Sequence, residues 1–110
     1  MPKSQRDVLQ GTLDLLVLKV LSREDLHGYA IANRIQAISD SALRVEEGSL
    51  YPALHRMEED GWVKADWQKN DAGRRVRVYS ITKAGLKQLA EEERRWADLT
   101  AAVGRVLRYA

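Results

Sequence analysis

The sequence contains no cysteine, no phenylalanine, and only two histidines and two prolines among its 110 residues. Without cysteine the chain can form no disulfide bond, no cysteine nucleophile and no thiolate zinc site, which is typical of a protein in a reducing compartment. Two histidines are too few for a histidine-rich metal site within one chain. Without phenylalanine, the core has to be built from leucine, isoleucine, valine and alanine together with a few larger rings.

Long hydrophobic runs are also missing. The most apolar stretch, Leu13 to Leu21, is interrupted by Asp14 and Lys19 and is too short and too polar to span a bilayer. No positively charged segment with a small-residue cleavage site accompanies it, so we expect a cytoplasmic protein without a membrane partner. The sequence shows no nucleophile elbow and no glycine-rich phosphate loop, and its adjacent carboxylates diverge on a helix. We therefore expect neither an enzyme nor a bound cofactor or metal.

The positive charge is concentrated in one short segment. Residues 1–61 carry seven Lys and Arg against ten Asp and Glu, residues 62–81 carry five against two, and residues 82–110 carry six against four. The middle segment is therefore net +3 within a chain that is +2 overall. Most of this charge is arginine, whose planar guanidinium group suits phosphate and narrow grooves, so nucleic acid is the first partner to consider. A solvated hairpin with charged edges explains the same pattern without a partner.

Hydrophobic periodicity predicts three helices, a β-hairpin and a long final helix. This order is the winged helix-turn-helix arrangement, so the expected fold class is mainly α with a small β-hairpin and a long C-terminal dimerisation helix. The chain is long enough for one compact unit. In that unit we expect residues 1–81 to form the DNA-binding part and residues 82–110 the dimerisation helix. The earlier elements are predicted as helices at about 7–22, 28–38 and 47–60 and a hairpin at 62–81.

The third helix carries Leu50, Leu54 and Met57 on one face, which should point to the core. Its start is open between two alternatives. If Ser49 is the N-cap, Pro52 falls where a missing amide needs no intrahelical partner. If the helix begins nearer Glu47, Pro52 strains or bends the first turn.

The two strands of the hairpin are predicted from their alternation. On the second strand, the two-residue period of β-structure places Arg75, Arg77 and Tyr79 on one face. Trp62 and Trp67 alternate with polar residues on the first strand, and we interpret both as structural.

The final helix is too long for so small a core to cover, at about 40 Å for 1.5 Å per residue. Its apolar residues largely follow three-four spacing, which predicts a contact with another helix. A second copy of the chain is the expected partner, because little of the chain itself remains to pack there, and the first helix offers a second apolar flank. The residues predicted to form this dimer interface are Leu15, Leu18, Leu86, Leu89, Trp96, Leu99, Val103, Val106 and Leu107.

Three blocks of the sequence resemble the PadR family of bacterial transcriptional regulators. They are His27 to Ile31, Gly48 to Trp62, and the arginine-rich wing that leads into Tyr79 to Gly85. The Leu-Tyr-Pro-Ala-Leu block, followed at the expected distance by Tyr-x-x-Thr-x-x-Gly, is a specific signal, and the likeness covers nearly the whole chain. The resemblance implies a dimeric transcription factor, most often a repressor, that binds an inverted repeat and in many members releases it when a small molecule binds. The single C-terminal helix is similar to the smaller subfamily.

The candidate DNA contacts lie on the exposed face of the third helix and on the wing. Tyr51 either donates its hydroxyl to a phosphate, as the resemblance also implies, or is a half-buried ring with its hydroxyl in water. Arg56 either binds a guanine or a phosphate, or pairs with Glu59 or Asp60. Tyr29 either touches the DNA backbone or packs within the chain. The full set of predicted contacts is Tyr29, Ser49, Tyr51, Pro52, His55, Arg56, Lys69, Arg74, Arg75 and Arg77.

Further alternatives remain open. Glu46 and Glu47 stand where a Ser or Thr cap is more usual in the family, and they either use the positive end of the helix or weaken DNA binding. Trp96 either fills the dimer interface as core or contacts a flat small-molecule effector, as the resemblance implies for the short subfamily. The rival function is a winged-helix protein-interaction module whose basic hairpin binds an acidic partner with no preference for DNA sequence.

Overall fold

The computed structural model describes the backbone of residues 2–110 and the side chains from Gly11 onward. Within this range, four helices and three short strands confirm the expected mainly helical winged-helix fold with a long C-terminal helix. The elements in chain order are α1 (Pro2–Leu21), β1 (Leu26–His27), α2 (Gly28–Ile38), α3 (Glu47–Glu59), β2 (Val63–Lys69), β3 (Arg75–Ile81) and α4 (Lys83–Leu107).

The strands form one antiparallel sheet in the order β1-β3-β2. β2 and β3 are the predicted hairpin, which we call the wing, and they pair without a break along their whole length. β1 was not predicted, because two residues are too few to show alternation. Its residues Leu26 and His27 pair with Tyr79 and Val78, so the start of α2 is attached to the wing.

The core is built around α1, which packs against α2, α3, α4 and β3. Leu50, Leu54 and Met57 of α3 are completely buried in it, as their spacing predicts. Val17 of α1 and Ile31 of α2 are equally inaccessible to solvent. α3 is therefore seated on the core along one full face, and its opposite face is left for other contacts.

The central position of α1 corrects two of the predicted dimer residues. Leu18 of α1 is completely buried and Leu89 of α4 is 6% exposed, so both belong to the core of the single chain. Because α2, α3 and α4 all pack on α1, its second apolar flank is covered by the chain itself. Leu15 is half-buried and packs against the same core.

α3 begins at Glu47, with Glu46 as an N-cap whose side chain makes no capping hydrogen bond. This is the second of the two predicted alternatives. Pro52 therefore lies inside the helix, where its missing N–H leaves the Gly48 carbonyl without the usual partner four residues on. The Ser49 side chain does not serve as the cap.

Gly61 follows the C-cap of α3 and ends the helix. It adopts a φ of +80°, which an L-residue reaches only at a cost. Its own N–H donates to the Glu58 carbonyl at 3.1 Å, and the N–H of Trp62 donates to the Met57 carbonyl at 2.9 Å. This pair of hydrogen bonds closes the helix and turns the chain directly into the wing.

The start of α4 is fixed against the base of the wing. The Thr82 hydroxyl accepts a hydrogen bond from the Gly85 N–H at 3.0 Å and donates to the Gly61 carbonyl at 2.6 Å. Gly85 packs so closely that a Cβ there would lie 2.1 Å from the Trp62 carbonyl oxygen. Trp62 itself is half-buried at this junction, as a structural residue should be.

The far half of α4 extends away from the core. The molecule measures 59 Å along its long axis against 28 and 25 Å across. An ion pair between Lys19 and Glu93, 3.1 Å long, joins α1 to the middle of α4. Large apolar side chains on α4 are exposed, namely Leu86, Trp96, Leu99, Val103, Val106 and Leu107. Over the described part of the chain, none of the helices has both the length and the apolar character of a membrane span.

Candidate nucleic-acid interface

An open cleft of about 880 Å³ separates the wing from α3 and from the start of α2. It brings together six of the predicted DNA contacts, which lie on three separate elements. Of the described residues that line it, three are arginines and none is acidic. The predicted contacts in the cleft are Tyr29, Tyr51, His55, Arg74, Arg75 and Arg77.

The wing presents a cationic and aromatic face to this cleft. In the β2–β3 pairing, Trp67 lies directly across from Arg77 and Lys69 across from Arg75. The guanidinium carbon of Arg75 is 4.8 Å from the centroid of the Trp67 ring, within the range of a cation–π interaction. Arg77 lies 6.0 Å from the Trp67 ring and 5.9 Å from the Tyr79 ring. Arg75, Arg77 and Tyr79 therefore share one face of β3, as the two-residue period predicts.

The tip of the wing is a compact loop organised around Asn70, whose N–H also donates to the Arg74 carbonyl at 2.9 Å. The Asn70 side-chain oxygen accepts hydrogen bonds from the N–H groups of Ala72 at 3.0 Å and Arg74 at 2.9 Å. Arg74 and Lys69 are both exposed here. The loop thereby holds two cationic side chains at the outer end of the wing.

Tyr51 reaches the cleft from the first half of α3. Its ring lies over Gly28, where an added Cβ would be only 2.7 Å from the ring and from the hydroxyl oxygen. Burial, and after it the nearby carboxylate of Glu47, raise the pKa of the Tyr51 hydroxyl above its ordinary value. The hydroxyl therefore keeps its proton at neutral pH and is available to donate a hydrogen bond, while the side chain remains 43% exposed.

The start of α2 forms the floor of the cleft. The Nδ1 atom of His27 accepts a hydrogen bond from the Ala30 N–H at 3.3 Å and so caps the helix. The His27 and Tyr29 rings lie nearly parallel, with centroids 6.5 Å apart. Tyr29 is largely exposed. Packing within the chain therefore covers only a small part of this residue.

Ion pairs occupy some of the candidate contacts. Arg77 donates to a Glu58 carboxylate oxygen at 3.0 Å, which links the wing to α3. His55 lies 3.4 Å from Glu59 on the exposed face of α3. Among the described residues, neither Arg74 nor Arg75 forms an ion pair, so these two arginines have the most positive charge to offer a ligand.

Three predicted contacts on α3 do not line the cleft. Ser49 and Pro52 line a second, smaller pocket between α1 and the start of α3. Arg56 points toward α1, where it pairs with Asp14 at 2.5 Å and not with Glu59 or Asp60. The exposed face of α3 is thus divided between a flank toward the wing and a flank toward α1.

Sequence reasoning missed Trp67 as a cleft residue. It was interpreted as structural, yet its side chain is 58% exposed and lines the cleft between two arginines. The hairpin register could have indicated this, because the residue opposite Arg77 has to share its face.

Comparison with known proteins places the chain in a family. Residues 17–91 match the profile of the transcriptional regulator PadR-like family. A transcriptional regulator of Mycobacterium tuberculosis is 34% identical over 98 residues, which cover 89% of this chain and 88% of the relative.

Solved structures agree with that assignment. A PadR family transcriptional regulator from Eggerthella lenta aligns with a TM-score of 0.77 at 32% identity, over 98% of this chain and 93% of its own. A transcriptional regulator from Clostridium thermocellum aligns with a TM-score of 0.82 at 27% identity, over 90% and 96% of the two chains. The family match and these likenesses in sequence and fold make the chain a transcriptional regulator of the PadR-like family.

Proposed function

We propose that the chain binds DNA sequence-specifically as a homodimer, recognises an inverted-repeat operator and represses the adjacent genes. The observation that carries this proposal is the cleft, in which a helix face and a basic hairpin converge with no acidic residue in the described lining. A helix fits the major groove of B-DNA, and a basic hairpin beside it reaches the minor groove or the backbone.

Within this proposal the two sides of the cleft have different tasks. Tyr51 donates its hydroxyl to a phosphate at the edge of the major groove, and His55 on the exposed face of α3 lies nearest the bases. Arg74, Arg75 and Lys69 bind phosphates or enter the minor groove. Trp67 holds the Arg75 guanidinium in place through the 4.8 Å contact.

The acidic residues of α3 limit its own grip on phosphate. Glu58 is neutralised by Arg77, and Glu59 lies beside His55. Glu47 lies in the first turn, where the helix dipole stabilises a carboxylate, so it uses the positive end of the helix that a phosphate would otherwise meet. We therefore assign the larger share of phosphate binding to the wing.

The dimer is proposed from the apolar surface of α4. Two copies that bury Leu99, Val103 and Val106 against each other form a two-fold assembly, which places two α3 helices on one face of the duplex. Such a dimer requires a pseudo-palindromic operator with half-sites about one helical turn apart.

We also propose that a planar small-molecule effector binds at Trp96. This residue is 45% exposed on the same face of α4. In a dimer the two Trp96 side chains approach each other and offer flat surfaces for a planar compound. Calorimetric titration of planar ligands into the wild-type protein and a Trp96→Ala variant tests this. Equal heats from both proteins contradict an effector contact at Trp96.

The operator proposal is tested by selecting bound duplexes from a random DNA pool at roughly 0.15 M salt, where weak non-specific binding is suppressed. Recovery of an inverted repeat supports the proposal. Equal competition by scrambled duplex contradicts it and favours the rival, an interaction module for an acidic protein.

The wing is then tested on the selected operator with Arg75→Ala, Arg77→Ala and Arg23→Ala. Arg75→Ala should weaken binding and lower the slope of log K against log salt by about 0.9 for each phosphate that the variant no longer neutralises. Arg77→Ala should change the slope less, because Glu58 already shares its charge. Arg23, exposed and outside the cleft lining, is the matched control and should leave the slope unchanged. A slope unaffected by Arg75→Ala overturns the assignment of the wing.

A further inference from the structure

A polar contact joins α1 and α3 on the side of α3 away from the cleft. Arg56 of α3 donates a hydrogen bond from Nη2 to Oδ1 of Asp14 on α1 at 2.5 Å. Two further carboxylates, Asp60 at the C-cap of α3 and Glu92 of α4, repel the Asp14 carboxylate and so help to raise its pKa. Gln88 holds Glu92 through a 2.8 Å hydrogen bond. Among the described residues, Asp14 is the one of these carboxylates with which the Arg56 guanidinium group pairs.

The Asp14–Arg56 pair differs from the other ion pairs in its burial. The Asp14 side chain is 13% exposed, whereas every other paired side chain in the described part of the chain is at least twice as exposed. Burial raises the pKa of Asp14 although the guanidinium group opposes this change. Removing Arg56 leaves the Asp14 carboxylate uncompensated in a largely buried position, which is more costly than breaking an exposed pair. Arg56 is 38% exposed, so it remains partly hydrated when Asp14 is removed.

Arg56 also has a defined relation to the residues of the cleft. At 100° per residue on an α-helix, Arg56 projects roughly 140° away from Tyr51. The two side chains therefore lie on opposite flanks of α3, and any rotation of α3 about its axis that moves one moves the other. Arg56 is held by α1 on one flank, while Tyr51 rests on Gly28 on the other.

We infer that Arg56 is a positioning residue for DNA binding. Its ion pair with Asp14 fixes the rotation of α3 on α1 and so directs Tyr51 and His55 into the cleft, and Arg56 itself touches neither base nor phosphate. This inference rests on the proposed function. A positioning role and a direct DNA contact predict opposite effects of removing Asp14 on operator affinity. If Arg56 bound DNA, it would first have to leave Asp14, so the loss of Asp14 would strengthen binding.

The test measures operator affinity against salt for Asp14→Ala, Arg56→Ala and the double variant, with Arg75→Ala as the reference for the removal of a phosphate-binding side chain. A positioning pair predicts that each single change weakens binding roughly tenfold with an unchanged salt slope, and that the double variant is no weaker than the poorer single one. The inference is overturned if Asp14→Ala strengthens binding or leaves it unchanged. It is equally overturned if Arg56→Ala lowers the slope by about 0.9.

A second measurement on the free protein separates this inference from the proposed function. The titration midpoint of the Tyr51 hydroxyl, followed by NMR, should fall toward its ordinary value in Asp14→Ala, since the ring leaves its partly buried seat on Gly28. An unchanged midpoint overturns the inference whether or not the protein binds DNA. Arg56→Lys keeps the positive charge and is therefore a milder change, in case Asp14→Ala fails to fold. Its Tyr51 titration midpoint should lie between those of the wild type and Asp14→Ala. Failure of the wild type to select an operator counts against the proposed function alone.

Discussion

The cleft and the far half of α4 are both exposed surfaces, but only the cleft is held in shape by the chain that carries it. Arg75 rests on Trp67, Arg77 is tied to Glu58, and Tyr51 is seated on Gly28. The far half of α4 carries apolar side chains that the described part of the chain leaves open to water. A polar surface can be complete in water, whereas a contiguous apolar surface calls for a covering partner. Under the proposed function, the recognition surface is preformed in one subunit, whereas the association surface needs two.

Placing a charge on the apolar face of α4 should have the largest effect. Val103→Glu buries a carboxylate in the proposed dimer interface, because this side chain lies in the middle of the exposed apolar residues, and should weaken association by roughly a hundredfold or more. Analytical ultracentrifugation measures the change. Ala101→Glu, on the opposite face of α4 and also exposed, is the matched control and should leave the dimer intact. Equal association of wild type and Val103→Glu contradicts the proposed interface.

Displacing the Tyr51 ring from its position over Gly28 should have the next largest effect. Gly28→Ala introduces a Cβ that meets the ring at 2.7 Å, so the ring has to leave its position. We expect operator binding to fall about tenfold, comparable to the loss of a good hydrogen bond, with the dimer unchanged. Gly11→Ala is the control, because an added Cβ there meets nothing within 4 Å. If Gly28→Ala binds DNA as tightly as Gly11→Ala, the preformed cleft is not needed for recognition.

Replacing the buried carboxylate of Asp14 should have the smallest effect. It changes how the free energy of unfolding depends on pH. Because burial raises the pKa of Asp14, the folded protein holds this proton more tightly than the unfolded chain. The stability that this group contributes therefore grows as the pH falls through its folded pKa and is complete below the ordinary value of 3.8. Denaturant unfolding of wild type and Asp14→Asn over pH 7 to 3.5 isolates the effect. As the pH falls, the free energy of unfolding of the wild type should rise relative to that of Asp14→Asn. The opposite trend contradicts a raised pKa of Asp14.

Much of the fold could be predicted because it depends on local pattern. The spacing of Leu50, Leu54 and Met57 predicted the buried face of α3, and the two-residue period predicted the face of β3 that carries Arg75 and Arg77. β1 could not be predicted, since two residues carry no period and Leu26 is a strand only through its pairing with Tyr79.

The candidate site was predictable in its residue types but not in its contacts. Six predicted residues meet in the cleft, which remains a proposed DNA site. The partner of Arg56 is 42 residues away in sequence, and no local rule selects Asp14 over the adjacent Glu59. The predicted outward positions of Leu18 and Leu89 were wrong for a similar reason. A helical stripe shows which side chains are apolar, and only the packing of α1 between its neighbours decides which of them the chain buries itself.

Each of the three tryptophans lies in a different part of the structure. Trp62 is half-buried at the base of the wing, Trp67 lies in the cleft between two arginines, and Trp96 lies on the far half of α4. Indole emission shifts to the blue as water is removed and is quenched by nearby bases. The protein thus carries separate intrinsic optical reporters for the cleft and for the far half of α4, and variants that retain only Trp67 or only Trp96 can follow the proposed DNA binding and the proposed self-association separately.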